Sequence, residues 1–180
     1  VKRKPKLCKR HNGEWYLDPG VPETADYILS LVKELVNGYD IDGIQFDYIR
    51  YPEQAKTFPD KAVHQKYGKS TRLADWRREN INKMVYRIYD WVKLAKPWVQ
   101  VSSSPLGKYN RIERVPNAGW TAYESVFQDP KMWMEKGKQD MIVPMMYYLH
   151  DNFFPFVDNW VENCNGRLVV PGLGAYRMDK

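Results

Sequence analysis

The chain has 180 residues, of which 43% are hydrophobic and 14% aromatic, enough apolar material for one well-packed domain. A charged fraction of 28% without low-complexity stretches excludes global disorder, and no apolar run reaches the length of a membrane span. The net charge is +6, with much of the excess in the first ten residues, which we interpret as a solvated loop or terminal tail.

The first third of the chain predicts a strand, a helix and a second strand. Residues 15–18 (WYLD) form the first strand, which Pro19 and Gly20 close. A helix begins near Pro22, carries apolar residues at spacings of three, four and seven, and stops at Asn37 and Gly38. Residues 42–48 form the next strand.

The rest of the chain repeats this alternation after a polar stretch from about residue 52 to 73. A stretch of that length predicts a functional or mobile loop. The later elements are a helix at about 75–95, a strand at 99–104, a loop to about 123, a short helix opened by Asp129 and Pro130 and closed by Gly137, a strand at 141–148, a helix ending at Asn165 and Gly166, and a strand at 168–173.

This β-α-β-α-β-α-β-α-β order, with short continuous apolar strands, predicts an α/β fold with a parallel sheet in a single domain over residues 1–180. A doubly wound sheet usually carries a glycine-rich phosphate turn, and neither G-x-G-x-x-G nor a Walker-type motif occurs. A (β/α)8 barrel of the TIM type needs no such motif but typically takes about 250 residues. Both sheet types fit the order of elements, and a (β/α)8 barrel would be incomplete in this chain of 180 residues.

Polar and aromatic residues gather at the carboxyl end of each predicted strand. Ligands of parallel α/β folds bind at that edge of the sheet, so this pattern predicts the functional site there. The residues, in strand order, are Asp18; Asp47, Tyr48, Arg50 and Tyr51; Ser102, Ser103 and Ser104; Tyr147, Tyr148 and His150; and Tyr176 and Arg177.

Six motifs resemble one known family: WYLDPG, DGIQFDYIRYP, FPD with YG shortly after, DWRRENIN, KPWVQVSSSPLG and VPMMYY. In this order, from about residue 15 to 176, they are similar to the glycosyl hydrolase-like ten family of bacterial proteins. The resemblance implies a TIM barrel acting on glycan polymers, with this chain holding about strands three to seven. It also implies a cell-envelope or secreted location. Gln45 stands where relatives often have histidine.

Glycosidic bonds are usually cut by two carboxyl groups, one as acid and one as nucleophile or base. We predict Asp47 as the nucleophile or stabilising carboxylate, kept ionised by Arg50. Asp18 is the predicted second catalytic carboxylate, although Asp-Pro-Gly is also a good turn. Glu53 and Asp151 on nearby loops, or a residue outside this chain, stay open as alternatives for the acid.

Sugar rings present apolar C–H faces that suit aromatic side chains with a polar group. Trp15 and Trp120 are further candidates for stacking on sugar. The predicted substrate-binding residues are Tyr48, Arg50, Tyr51, Tyr147, Tyr148, His150 and Tyr176.

The sequence contains no histidine–carboxylate cluster that would predict a metal site, and it contains no cofactor motif. Cys8 and Cys164 are expected to be unrelated free thiols. The resemblance implies a polysaccharide or oligosaccharide as the partner, and self-association of the partial barrel is a further hypothesis. One alternative is a non-catalytic carbohydrate-binding barrel domain. Another is nucleic-acid binding through the basic terminus, which we set aside because no RNA-binding signature accompanies it.

Overall fold

The structure is a computed structural model that describes residues 2–177. It contains eight strands and six α-helices within those residues, together with short 3-10 turns at Pro5–Leu7, Ala55–Thr57 and Ala175–Arg177. The order is β1 (Cys8–His11), β2 (Glu14–Leu17), α1 (Pro22–Gly38), β3 (Gly43–Asp47), α2 (Lys61–Tyr67), α3 (Leu73–Ala95), β4 (Gln100–Ser104), α4 (Ala122–Ser125), α5 (Pro130–Glu135), β5 (Met141–Ile142), β6 (Met145–Met146), α6 (His150–Glu162), β7 (Leu168–Val169) and β8 (Gly172–Leu173).

The central sheet has the parallel order β3-β4-β5-β7, and β6 pairs with β8 in a parallel two-strand extension. The strands are neighbours in the order in which they occur along the chain. A doubly wound sheet reverses its order at a switch point, and this sheet shows no reversal among the described strands. The predicted α/β class with a parallel sheet is confirmed, and the order is consistent with part of a (β/α) barrel.

The two faces of the sheet differ in chemistry. Ile44 lies beside Val101 on the face that joins the hydrophobic core, where the apolar faces of α1 and α3 also pack. On the opposite face Gln45 lies in register with Ser102 and donates a hydrogen bond of 2.7 Å to Ser104. Gln45 is exposed. Within the described residues this face of β3 is exposed at Gly43, Gln45 and Asp47.

The first predicted strand belongs to a different sheet from the one expected. Strand β2 pairs antiparallel with β1 and forms a hairpin outside the parallel sheet. The turn is Asn12 and Gly13, both with positive φ (49° and 87°), and Asn-Gly is the sequence most typical of a two-residue hairpin. The basic segment is therefore not only a solvated tail, because strand β1 lies within it.

The polar stretch after β3 is also more ordered than expected, because it contains α2 and is anchored by a buried ion pair. Arg77 of α3 contacts both carboxylate oxygens of Asp60, at 2.7 and 2.8 Å, and the two side chains are 2% and 0% exposed. Arg77 also donates to the backbone oxygens of Ala55 and Phe58. These bonds fix the segment that follows the candidate site.

The strand predicted at residues 141–148 is divided into β5 and β6. Pro144 lies between them, and proline cannot donate a backbone hydrogen bond to a neighbouring strand. The strand predicted at 168–173 is likewise divided into β7 and β8, with Pro171 between them. The two breaks lie side by side, since Met145 of β6 pairs with Gly172 of β8.

Candidate functional site

A pocket of about 320 Å³ lies at the carboxyl end of β3. The end of this strand and the loop after it contribute Phe46, Asp47, Tyr48, Ile49 and Arg50 to its wall. The hairpin strand β2 closes one side, and helices α1 and α3 contribute apolar side chains. The remaining lining residues are Trp15, Tyr16, Leu17, Pro19, Thr24, Ile28, Pro52, Ile81 and Met84.

Asp47 is exposed to solvent in this wall, as its position at the end of a strand predicts. Its Oδ1 accepts a hydrogen bond of 2.7 Å from the backbone nitrogen of Tyr48. Tyr48 itself has a φ of 52°, in the left-handed region that non-glycine residues rarely adopt. This turn ends the pairing of the β3 backbone with β4 at Asp47. The carboxylate of Asp47 therefore lies at the edge of the sheet.

Arg50 lies between two aromatic rings, with its guanidinium carbon 4.7 Å from the ring centre of Tyr48 and 5.3 Å from that of Trp120. Its Nε and Nη1 atoms are shielded from water and have no hydrogen-bond partner among the described residues. Burial lowers the pKa of Arg50, and the nearby Tyr48, Glu53 and Asp47 act in the opposite direction. Arg50 and Asp47 form no direct ion pair among the contacts of residues 2–177.

Asp18 is fully buried, and its side chain is not part of the pocket wall. Its Oδ1 accepts a hydrogen bond of 2.9 Å from the backbone nitrogen of Gly20, whereas its Oδ2 has no partner among the described residues. Burial raises the pKa of Asp18 from 3.8 to about 6. The structure therefore does not bring Asp18 together with Asp47 in the pocket.

Tyr51 also lies away from the pocket, in the hydrophobic core. Its side chain is 0% exposed and packs edge-on against Phe58 and Phe127, with ring centres 5.4 and 5.6 Å away. Burial raises the pKa of Tyr51 above its usual range. A substrate cannot reach this ring in the folded chain, although the sequence placed it beside Tyr48 at the strand end.

The remaining predicted residues lie at the carboxyl ends of β6 and β8. A smaller pocket of about 230 Å³ is lined there by Tyr148, Leu149, His150, Phe153, Phe154, Gly174 and Arg177. His150 is exposed at the first position of α6. Tyr147 and Tyr176 meet edge to face next to this pocket, with ring centres 6.4 Å apart, and Tyr176 is 80% exposed.

Lys108 is a residue of this edge that the sequence analysis missed. Its Nζ lies 4.9 Å from the ring centre of Tyr148 and donates a hydrogen bond of 2.9 Å to the backbone oxygen of Ala118. Burial lowers the pKa of Lys108 and raises that of Tyr148. Its position just after Gly107, in the loop that follows β4, is the feature of the sequence that could have identified it.

Gln128 is a second missed residue, and it joins the loops that follow β3 and β4. Its Nε2 donates to the backbone oxygen of Ile49, and its Oε1 accepts from the backbone nitrogen of Leu106, each at 3.3 Å. The backbone nitrogen of Tyr51 also donates to the oxygen of Val126. No pattern in the sequence singles out this glutamine, because its role depends on two loops meeting in space.

Nothing in residues 2–177 forms a group of three or more histidine, cysteine or acidic side chains suited to a metal ion. Cys8 and Cys164 are free thiols. The helices of the same described range include none that is both long and apolar enough to cross a membrane.

The chain is thus an α/β protein with a parallel sheet, and its strand-end pocket contains a carboxylate and aromatic rings. The profile of the family described as Glycosyl hydrolase-like 10 matches residues 6–160, and the chain belongs to this family. The resemblance of the six motifs is thereby confirmed.

Two curated relatives illustrate the similarity. The chain is 33% identical over 195 aligned positions to Glycosyl hydrolase YngK of Bacillus subtilis (strain 168), covering 99% of this chain and 38% of the relative. It is 36% identical over 138 positions to Glycosyl hydrolase DigH of Escherichia coli (strain K12), covering 73% of this chain and 31% of the relative. The chain thus spans about a third of the length of these relatives.

Proposed function

We propose that this chain is part of a (β/α)8-barrel catalytic domain that hydrolyses the glycosidic bonds of a polysaccharide, such as a bacterial cell-wall glycan. The observation that carries the proposal is the exposed Asp47 at the end of β3, in the wall of a pocket lined by aromatic rings. The family and the names of the relatives support a hydrolase acting on glycans.

In this proposal Asp47 acts as nucleophile or general base. An exposed carboxylate at the strand end is free to approach the sugar carbon or a water molecule from below the ring. The hydrogen bond from the backbone nitrogen of Tyr48 fixes one oxygen, so the other is the one available for reaction. Because the backbone holds the donor, the carboxylate is oriented before the substrate binds.

The general acid has to protonate the leaving oxygen. Asp18 has the pKa of about 6 expected of such a group, but it is fully buried and would need the turn at Gly20 to open. Glu53 is exposed on the loop after β3, Asp151 is exposed in the first turn of α6, and either could serve. Unlike Asp18, neither Glu53 nor Asp151 needs a rearrangement of the core to reach a substrate.

The aromatic side chains supply the proposed subsites. Trp15 and Tyr48 are 53% and 68% exposed at the first pocket, and Tyr147 and Tyr176 are exposed at the second. Both pockets lie at the carboxyl edge of the parallel strands. A glycan chain laid along this edge would place successive sugars on these rings.

A non-catalytic carbohydrate-binding barrel domain is the second candidate function. The observation that favours it is that Asp47 is the single acidic residue among those lining the first pocket. Such a domain would keep the aromatic subsites and bind glycans without cleaving them.

The test is glycan release by the natural protein carrying Asp47→Asn, on a panel that includes peptide-free peptidoglycan strands and plant and host polysaccharides. We expect activity to fall by several orders of magnitude while the fold is retained, because the substitution keeps the shape and removes the charge. Asp42→Asn is the matched control, since Asp42 is also exposed and lies just before the other end of β3. Equal activity of Asp47→Asn and the control would exclude Asp47 as the catalytic group. Binding of a glycan without cleavage by the unsubstituted protein would favour the binding domain.

A further inference from the structure

The guanidinium of Arg50 has hydrogen-bond donors that no described group uses. Nε and Nη1 are both shielded from water and unpartnered, although Arg50 lines the first pocket. Removing a charged group from water without a partner is costly, and burial lowers the pKa of this arginine accordingly. Such a group gains a large stabilisation when an anion reaches it.

The neighbours of Arg50 hold it in place but leave its Nε and Nη1 donors unpaired. The rings of Tyr48 and Trp120 stack near the guanidinium and offer cation–π attraction, but a ring face is not a hydrogen-bond acceptor in the plane of the fork. Asp47 forms no direct ion pair with it among the contacts of residues 2–177. A carboxylate is a strong, charged acceptor for such donors.

Basic residues lie on β1, the strand that pairs with the pocket-lining strand β2. Trp15, which lines the pocket, is paired across the hairpin with Arg10, and Tyr16 is paired with Lys9. The first ten residues carry six of the basic side chains of a chain whose net charge is +6.

We propose that Arg50 recognises a carboxylate on the sugar bound in this pocket, so that the glycan is an acidic one. This inference rests on the proposed glycan-binding function and specifies its substrate class. Tyr48 is 68% exposed and covers one side of the guanidinium, so its ring moves aside to admit the carboxylate. Trp120 stays behind Arg50 as its support.

The experiment compares each glycan with its own carboxyl-reduced form, in which the carboxylates have become primary alcohols. The probes are oligogalacturonate, hyaluronan oligosaccharides and peptide-free peptidoglycan strands, titrated calorimetrically. We expect the intact form of the preferred glycan to bind about tenfold to hundredfold more tightly than its reduced form, the range of a charge-assisted hydrogen bond. Arg50→Gln should abolish this difference.

The matched control is Arg114→Gln, because Arg114 is exposed and bonded to Glu162 at 2.8 and 2.9 Å. This control should retain the preference for carboxylates. The comparison on the unsubstituted protein needs no variant, so a failure of Arg50→Gln to fold does not remove the test. Equal binding of intact and reduced glycans, or no binding of any intact glycan, overturns the inference.

Cleavage measured on the same pairs separates the two proposals. Equal cleavage of intact and reduced glycans would refute the acidic preference and leave the hydrolase proposal standing. Carboxylate-selective binding without cleavage of any glycan would refute the hydrolase proposal and leave the acidic preference standing. Loss of cleavage in Arg50→Gln to the same extent on both forms would mean that Arg50 acts only on Asp47.

Discussion

The buried carboxyl of Asp18 makes the stability of the chain depend on pH in an unusual direction. Its pKa is raised from 3.8 to about 6, first because burial penalises the charged form and then because of nearby Asp60; Gly20, Lys9 and Arg77 oppose this. At a pH between these two pKa values, Asp18 holds a proton in the folded chain and has released it in the unfolded chain. The contribution of Asp18 to stability is therefore greatest at low pH and is lost as the pH rises through about 6.

The size of this effect follows from the two pKa values. Raising a pKa from 3.8 to about 6 corresponds to about 3 kcal/mol at full ionisation. Between about pH 4.5 and about pH 7.5 the linkage relation gives a loss of about 2 kcal/mol. Asp18→Asn removes the titration and keeps an oxygen to accept from Gly20.

The assay is urea unfolding of the wild type and Asp18→Asn at the two pH values. We expect the free energy of unfolding of the variant minus that of the wild type to be about 2 kcal/mol larger at the higher pH, because only the wild type loses stability as the pH rises. Asp26→Asn is the control, because Asp26 is 61% exposed and stays in contact with water when folded. A difference between Asp18→Asn and wild type that is the same at both pH values would refute the reasoning.

Two further predictions concern stability and are checked by urea unfolding. Arg77→Met leaves a buried carboxylate without its partner and should cost about 3–5 kcal/mol, whereas Arg87→Met removes an exposed pair and should cost less than about 1 kcal/mol. Similar losses for the two variants would contradict the first. Gly107→Ala drives a new Cβ into the backbone oxygen of Met145 and should cost about 1–3 kcal/mol, while Gly38→Ala meets open space and should be neutral or stabilising. An unchanged midpoint for Gly107→Ala would show that this contact is not tight.

Local sequence signals predicted the elements whose ends are set by their own residues. Pro22 and Gly38 bound α1 as expected, and Asp129 caps α5 by accepting a hydrogen bond from the nitrogen of Met132. The φ of 64° at Gly137 ends α5, as predicted from glycine at that point. These features depend on backbone geometry within a few residues, so the sequence alone is enough.

The hairpin of β1 and β2 could have been predicted from the sequence. Asn12-Gly13 is a strong turn signal, but the basic residues before it favoured a solvated tail. The pairing of β1 with β2 satisfies the backbone groups regardless of the charged side chains, which extend to solvent.

The sequence by itself determined the β/α alternation, the family and the position of Asp47 at an exposed strand end. Only the tertiary structure decided which neighbouring side chains face the pocket. Tyr48 and Tyr51 are three residues apart, yet one is 68% exposed and the other 0%, because the positive φ of Tyr48 and the packing on Phe58 and Phe127 turn them apart. Burial depends on what the rest of the chain packs against a residue, and that information is not local.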